Sequence, residues 1–242
     1  MTTVKGEPFI LFDSGPGKDR IIVFTTKANL DILQRTVHIY MDGTFKISPT
    51  IFFQLYTIHG FIRSTSFPLI YALLPNKIKE TFTRLLEEVK KLIAEFHPQS
   101  FLIDYEMAMY GAIRAVFPEA SIRGCFFHFS QALYRKLWFE AKIRHRQREF
   151  AQQMKLLAES LPQDAGQIVD YFEETWIGPV RRNRRRPPVF PVEMWNCFAA
   201  IQDDLPSTNN HIEGWHMAFK SQLSACHPTI WKFIEASKEN SS

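Results

Sequence analysis

The sequence predicts an α/β fold, a mixed sheet flanked by helices, with an all-helical stretch inserted before its last elements; three features predict it. Three strand-like runs, at 36–48, 52–62 and 67–74, follow one another through short connections, as antiparallel neighbours do. A strongly amphipathic helix over 78–96 then separates them from a short apolar run at 101–103. Strand, long helix and strand make a right-handed crossover, which returns the second strand parallel to an earlier one. From Ser130 onward the pattern stays helical for most of the chain.

The elements follow in order. Apolar runs at 9–12 and 21–25 flank SGPGKD, a Gly and Pro turn cluster, and read as a hairpin entering the sheet. Residues 29–34 give a short helix. In TVHIYMDGTFKIS, residues 36–48, Val37, Ile39, Met41, Phe45 and Ile47 are apolar, and His38, Tyr40, Asp42, Thr44, Lys46 and Ser48 are polar. That is the period of a half-buried strand. Asp-Gly between alternating hydrophobics is also a hairpin signal, but such a turn would pair Met41 with Thr44 and Ile39 with Lys46, mixing apolar and polar on one face. The alternation keeps its phase through Asp42 and Gly43, so one continuous strand is expected, with Asp42 on its polar face. The run at 52–62 is apolar on both faces, as a central strand would be, and Pro75 ends the run at 67–74.

Ile78, Phe82, Leu85, Leu86, Val89, Leu92, Ile93 and Phe96 recur at three and four residues, ending at His97-Pro98. If the strand at 101–103 pairs with the Asp42 strand, Asp104 and Asp42 come within reach of a shared ion. A helix at 107–117, a strand over 121–129 (SIRGCFFHF), and helices at 131–146, 149–161 and 164–176 come next. The link 177–191 carries Arg181, Arg182, Arg184, Arg185 and Arg186. Such a run suits a solvated loop, a nuclear-import signal or a phosphate contact. Helices at 192–203, 209–223 and from Thr229 finish the chain.

Composition removes several function classes. Hydrophobic residues make up 45% and aromatics 14%, with 22 Phe, which argues against disorder. Cys125, Cys197 and Cys226 form neither a CxxC pair nor an even framework, against a disulfide-stapled secreted protein. There is no membrane-length apolar run and no signal-peptide pattern in residues 1–16, so an intracellular, membrane-free protein is expected. Net charge is +4, but residues 135–186 hold twelve Lys or Arg against seven Asp or Glu, a local excess of five. The positive charge sits in one segment, as a polyanion-binding surface requires.

Three acids stand out. Asp42 and Asp104 belong to strands, and Glu213 belongs to the helix beginning STNNHIEGWHMAF. There Ile212, Trp215, Phe219 and Leu223 form the apolar stripe, and Glu213, His216 and Lys220 an adjoining polar face. Glu213 also has a structural reading, because Asn210 followed by Glu213 is close to a capping box. Asp104 alone could be a strand-end turn residue.

The element order is that of ribonuclease H-like folds, whose mixed five-stranded sheet carries acids from its first and fourth strands and from a late helix. YMDGTFK, FLIDYEMAMYGAI, FPEASIRGCFFHFSQALYRK and STNNHIEGWH resemble, in order and wording, the transposase domain of Mutator-like (MULE) elements. The resemblance runs from about residue 5 to residue 223, with the domain itself at about 36–132. It implies a DDE-type enzyme that hydrolyses a phosphodiester at a transposon end and joins the freed 3′ hydroxyl to target DNA. Asp42, Asp104 and Glu213 match the family's metal-binding acids and would hold two Mg²⁺ or Mn²⁺ ions. Cleaving a phosphodiester needs an activated nucleophile and a stabilised leaving oxygen, and two ions bound by oxygen ligands supply both.

The expected organisation is a ribonuclease H-like core from 1–134 and 206–242, with a helical insertion at 135–205. Double-stranded DNA is the expected partner, homodimerisation is left open, and the nucleus is the expected compartment. Lys142, Arg144, Arg146 and Arg148, with the link arginines 181, 182, 184, 185 and 186, are candidates for DNA contact; Trp138 and Trp176 read as insertion core. Cys125 and His128 match a CxxH signature of the family. On a strand they would point to opposite faces, so zinc, completed by Cys226-His227, is disfavoured against a buried Cys125 and a His128 at the site rim. Family members usually carry an upstream zinc-binding DNA-recognition module, whereas this sequence starts almost at the resembling catalytic domain. The competing readings are a domesticated DNA-binding regulator and a truncated element copy; retention of all three acids favours the enzyme.

Overall fold

Gly15 and Gly17, both at positive φ, turn the N-terminal hairpin of β1 (Ile10–Asp13) and β2 (Ile22–Phe24). The computed structural model describes residues 2–3, 5–62, 65–144, 170–196, 201 and 205–240, excluding the side chains of residues 62, 65 and 137–144. Helix α1 (Lys27–Arg35) starts at Thr26, whose hydroxyl accepts the Asn29 amide as an N-cap should. It is followed by β3 (His38–Thr44), β4 (Gln54–Ile62) and β5 (Thr65–Leu74).

Asp42 and Gly43 lie inside β3, paired with Thr57 and Tyr56 of β4. The chain therefore runs straight through Asp-Gly, as its unbroken alternation predicts. A side chain at Gly43 would meet Gln54 Oε1 at 2.8 Å and the Tyr56 ring at 3.0 Å, so glycine here makes room for the neighbouring strand. In β5, Pro68 has no amide to donate, and the register slips between Ile58 and His59 of β4. Leu69 of the irregular stretch gives its carbonyl to the Thr25 hydroxyl.

Helix α2 (Lys79–Leu92) buries Phe82, Leu85, Leu86 and Val89 at helical spacing. It stops short of the expected residue 96, because the backbone is already extended at Ile93, with Glu95 at a left-handed φ of 57° just beyond. Phe96 is buried nonetheless, edge-on to Phe117. The chain then enters β6 (Ser100–Ile103), buried throughout, and α3 (Met107–Val116). Strand β6 runs parallel to β3, with Ile39 opposite Phe101 and Tyr40 opposite Leu102.

Strand β7 (Ser121–Gly124) closes a seven-stranded sheet of order β1-β2-β5-β4-β3-β6-β7. This is a mixed α/β architecture of ribonuclease H-like type, five core strands extended to seven by the N-terminal hairpin. The expected strand over 121–129 is corrected: it ends at Gly124, and α4 (Phe126–Arg144) begins two residues on. A short apolar run such as CFFHF fits a strand or a buried helix equally by periodicity. The helix prevails because Phe129 reaches Trp176, Trp195 and Phe172.

Beyond α4 come a π-helical turn (Glu173–Ile177), a two-stranded ribbon of β8 (Val180–Arg181) and β9 (Arg184–Arg185), and α5 (Val192–Trp195). The expected helix at 149–161 and most of that at 164–176 lie outside the described residues. Last are α6 (Asn210–Leu223) and α7 (Ile230–Asn240). The chain forms two compact units, one of residues 1–123 with 208–242 and one of residues 124–207. In the second, Trp176 is buried and packs on Phe129 and Phe190, as expected of a core tryptophan; the Trp138 side chain lies outside the described residues. Among the described residues no helix is long and apolar enough to cross a membrane.

In the first unit α6 and α7 cover one face of the sheet. Phe219 and Leu223 of α6 and Phe233 of α7 join Phe9, Phe24, Leu55, Tyr71 and Leu73 in one cluster. Ile212, one helical stretch earlier, packs with Tyr40 and Leu102. The polar face of β3 is thus under a helix rather than in water, and Tyr40 and Asp42 are both buried.

Candidate active site

The parallel pairing of β3 and β6 sets the geometry. Tyr40 is opposite Leu102, and two residues further along each strand come Asp42 and Asp104. Adjacent strands lie about 4.8 Å apart, so both carboxylates leave the carboxyl ends of neighbouring parallel strands. Open α/β sheets bind ligands at that end.

Each aspartate is held by α6. Asp42 Oδ1 accepts the Gly43 amide at 2.7 Å, and Asp42 Oδ2 lies 3.4 Å from His216 Nδ1. The other ring nitrogen of His216 is 3.3 Å from the Thr57 hydroxyl, which also donates to the Asp42 carbonyl. The side-chain amide of Asn209 donates to Asp104 Oδ1 at 3.1 Å. Asn209 is the N-cap residue of α6, but its side chain caps nothing within the helix. This corrects the capping-box reading: the helix starts one residue earlier than that motif needs, and Glu213 is not three residues past the cap.

Glu213 is half-buried. It stands four residues after Asn209 and three before His216, spacings that share one helix face. The face that touches Asp104 at one end and Asp42 at the other therefore carries Glu213 between them.

A fourth carboxylate belongs to this neighbourhood. The Glu106 amide donates to the Asp104 carbonyl at 2.7 Å, a tight turn at the end of β6. Burial pushes the Glu106 carboxyl up, Lys77 at 3.9 Å opposes this, and the charges of Asp104 and Asp42 add to the rise. The Tyr56 hydroxyl is raised well above its usual range, by burial first and then by the charges of Glu106, Asp42 and Asp104. Two separate groups thus feel the same cluster of acids. Residues 38–132 match the family model of the MULE transposase domain.

The MULE transposase domain match covers β3 through the start of α4, including Asp42, Asp104 and Glu106, and suggests a transposase-related function. Asn209, Glu213 and His216 lie outside it. No curated protein matches the sequence.

The other expected residues are distributed as follows. Cys125 is buried and His128 lies in the first turn of α4, so the expectation that they point to opposite faces of one strand is corrected. His227 is engaged in the first unit, its amide on the Lys46 carbonyl and its ring 3.3 Å from the Ser48 carbonyl. Lys142 and Arg144 belong to the backbone of α4 with side chains outside the described residues, and Arg146 and Arg148 lie wholly outside them. Arg181, Arg182, Arg184, Arg185 and Arg186 are exposed on the β8–β9 ribbon.

Sequence reasoning put His216 beside Glu213 without a role and passed over Asn209 and Glu106. The available signal was spacing: N-x₃-E-x₂-H on one helix, and an acid two residues after Asp104.

Proposed function

We propose that this chain is the catalytic domain of a DDE-type transposase, cleaving phosphodiesters at transposon ends and transferring the freed strand to target DNA. The observation that supports it best is the β3–β6 register, with Asp42 near the end of β3 and Asp104 just past the end of the adjacent parallel β6, beneath the α6 face that bears Glu213. The donor set fits Mg²⁺ or Mn²⁺. It consists of carboxylate oxygens, which these hard ions prefer, and no His or Cys cage is needed. The Glu106 carboxyl is raised first by burial and then by the charges of Asp104 and Asp42, and divalent cations beside those acids would relieve that second part.

Asp42, Asp104 and Glu213 are the residues that would hold two such ions. When bound, these lower the pKa of a water or hydroxyl nucleophile and stabilise the leaving oxygen. The protein's own contribution is orientation. The Gly43 amide and the His216 ring fix the two oxygens of Asp42, and Asn209 fixes one oxygen of Asp104. Residues 135–205 act in this reading as a helical insertion between the second and third acids. Transposon and target DNA assign the work to the nucleus.

The test is Mn²⁺-dependent nicking of supercoiled plasmid by the purified chain, beside Asp104→Ala. Nicking by the wild type alone is expected. DNA binding with no metal-dependent nicking would replace the enzyme with a DNA-binding regulator, and neither activity would leave a relic of the element.

A further inference from the structure

The β8–β9 ribbon concentrates positive charge, and of its arginines Arg185 alone has an acidic partner among the described residues. Val180 pairs with Arg185 and Arg181 with Arg184. The two residues between them, Arg182 and Asn183, have φ of 53° and 58°, the double left-handed conformation of a type I′ hairpin turn. Asn suits that turn; an arginine there costs about 1 kcal/mol.

The base of the ribbon is braced. Arg185 donates to the Gly178 carbonyl at 2.6 Å and pairs with Glu173 at 3.2 Å. The Arg186 amide donates to Pro179, and the Val189 and Phe190 amides donate to Thr175. Gly178 has φ of 96°, and a Cβ there would sit 1.9 Å from the Arg186 carbonyl oxygen.

Alternation along each strand separates the arginines. Arg185 turns toward its partners at the base, so Arg181 and Arg184 project from the other face. Directly opposed residues have Cβ atoms about 5 Å apart, and like charges in that arrangement are destabilising. Arg181, Arg182, Arg184 and Arg186 have no side-chain partner among the described residues. A rigid ribbon with an opposed arginine pair, an arginine at its tip and no acid on the exposed face has the complement of a polyanion.

We propose that this ribbon is a docking element for duplex DNA, with Arg181 and Arg184 each neutralising a backbone phosphate. The choice of DNA among polyanions rests on the function proposed above. Binding of the full chain to a 20-base-pair duplex is to be measured by fluorescence anisotropy across a salt series. Each phosphate contact adds about 0.9 to the slope of log affinity against log salt. The R181A/R184A double variant should therefore lose about two units of slope, and R181K/R184K should keep it. The double variant K27A/K91A removes two exposed cations elsewhere and should leave the slope at the wild-type value.

An unchanged slope in R181A/R184A overturns the proposal. So does an equal fall in K27A/K91A, or a loss confined to a single strand of the same length. Thermal melts matching wild type show that the variants fold. Absent nicking with the expected slope change would remove the catalytic reading and leave the docking element standing; intact nicking with an unchanged slope would do the reverse.

Discussion

The side chain of Asn209 donates to Asp104 at 3.1 Å, although 105 residues separate them along the chain. This bond fastens the start of α6 to the end of β6, and both groups are sheltered, Asn209 being 2% exposed. A hydrogen bond to a carboxylate contributes about 1.5–3 kcal/mol. Asn209→Ala should lower stability by that amount in urea unfolding and slow plasmid nicking. Asn209→Asp should be worse on both counts, since it sets a second carboxylate where a donor stood.

Asp42→Asn and Glu213→Gln preserve shape and remove charge. Both should reduce nicking to background while the far-UV spectrum stays as in wild type. At about 100 times its dissociation constant, each bound Mn²⁺ adds about 2.7 kcal/mol of stability. A gain of at least that size in urea unfolding, with a rise in melting temperature, is expected for the wild type and not for Asp42→Asn.

In the proposed reaction His216, 3.4 Å from Asp42, would act through that carboxylate as a positioning residue. Removing such a partner of a metal-binding group commonly costs 10–100-fold in activity or metal affinity. His216→Ala should lower the nicking rate by about that factor, again, with little change in affinity for DNA. An equal loss of DNA affinity would mean that the helix has moved rather than that Asp42 has lost its support.

His59 is fully buried beside Trp215, and neither ring nitrogen has a hydrogen-bond partner among the described residues. Burial holds its pKa well below the ordinary 6.5, with a further push from His216. The unfolded chain takes up a proton near 6.5 that the folded one refuses. Stability from this group is therefore present above 6.5 and lost as pH falls below it, by roughly 1 kcal/mol per pH unit until the folded-state pKa is reached. Denaturant melts between pH 7.5 and 5.5 should show this decline, and His59→Leu should flatten it.

Two glycines give contrasting expectations. Gly43→Ala presses a methyl group into Gln54 and Tyr56 and should cost about 1–3 kcal/mol, with the Gln54 side chain able to give way. At Gly178 the obstacle is the Arg186 backbone and φ is positive, so Gly178→Ala should unseat the arginine ribbon. Its DNA salt slope should fall as in R181A/R184A, even though every arginine is retained.

Much of the sheet was legible because its signals are local. The phase of alternation through Asp42 and Gly43 excluded a turn, and the crossover through residues 78–96 made a parallel β3–β6 pair the natural outcome. The stretch 125–129 misled, because its strand-like run of aromatics serves an aromatic core supplied by residues 172–195, far off in sequence. Asn209 and His216 were missed for a related reason: their partners, Asp104 and Asp42, become neighbours only when α6 lies across the sheet. The type I′ turn at Arg182-Asn183 was hidden by charge, since a run of arginines reads as solvated loop before it reads as a hairpin.

Helix α6 both seals the hydrophobic face of β5 and β2 and supplies the groups that reach Asp42 and Asp104. During synthesis those aspartates emerge early, whereas their partners arrive only after residues 124–207 have been made. A nascent chain interrupted before that helix would expose the greasy underside of its sheet and carry an unfinished acidic pocket. Completion of the acidic pocket and covering of this apolar face thus wait on the same late-made helix.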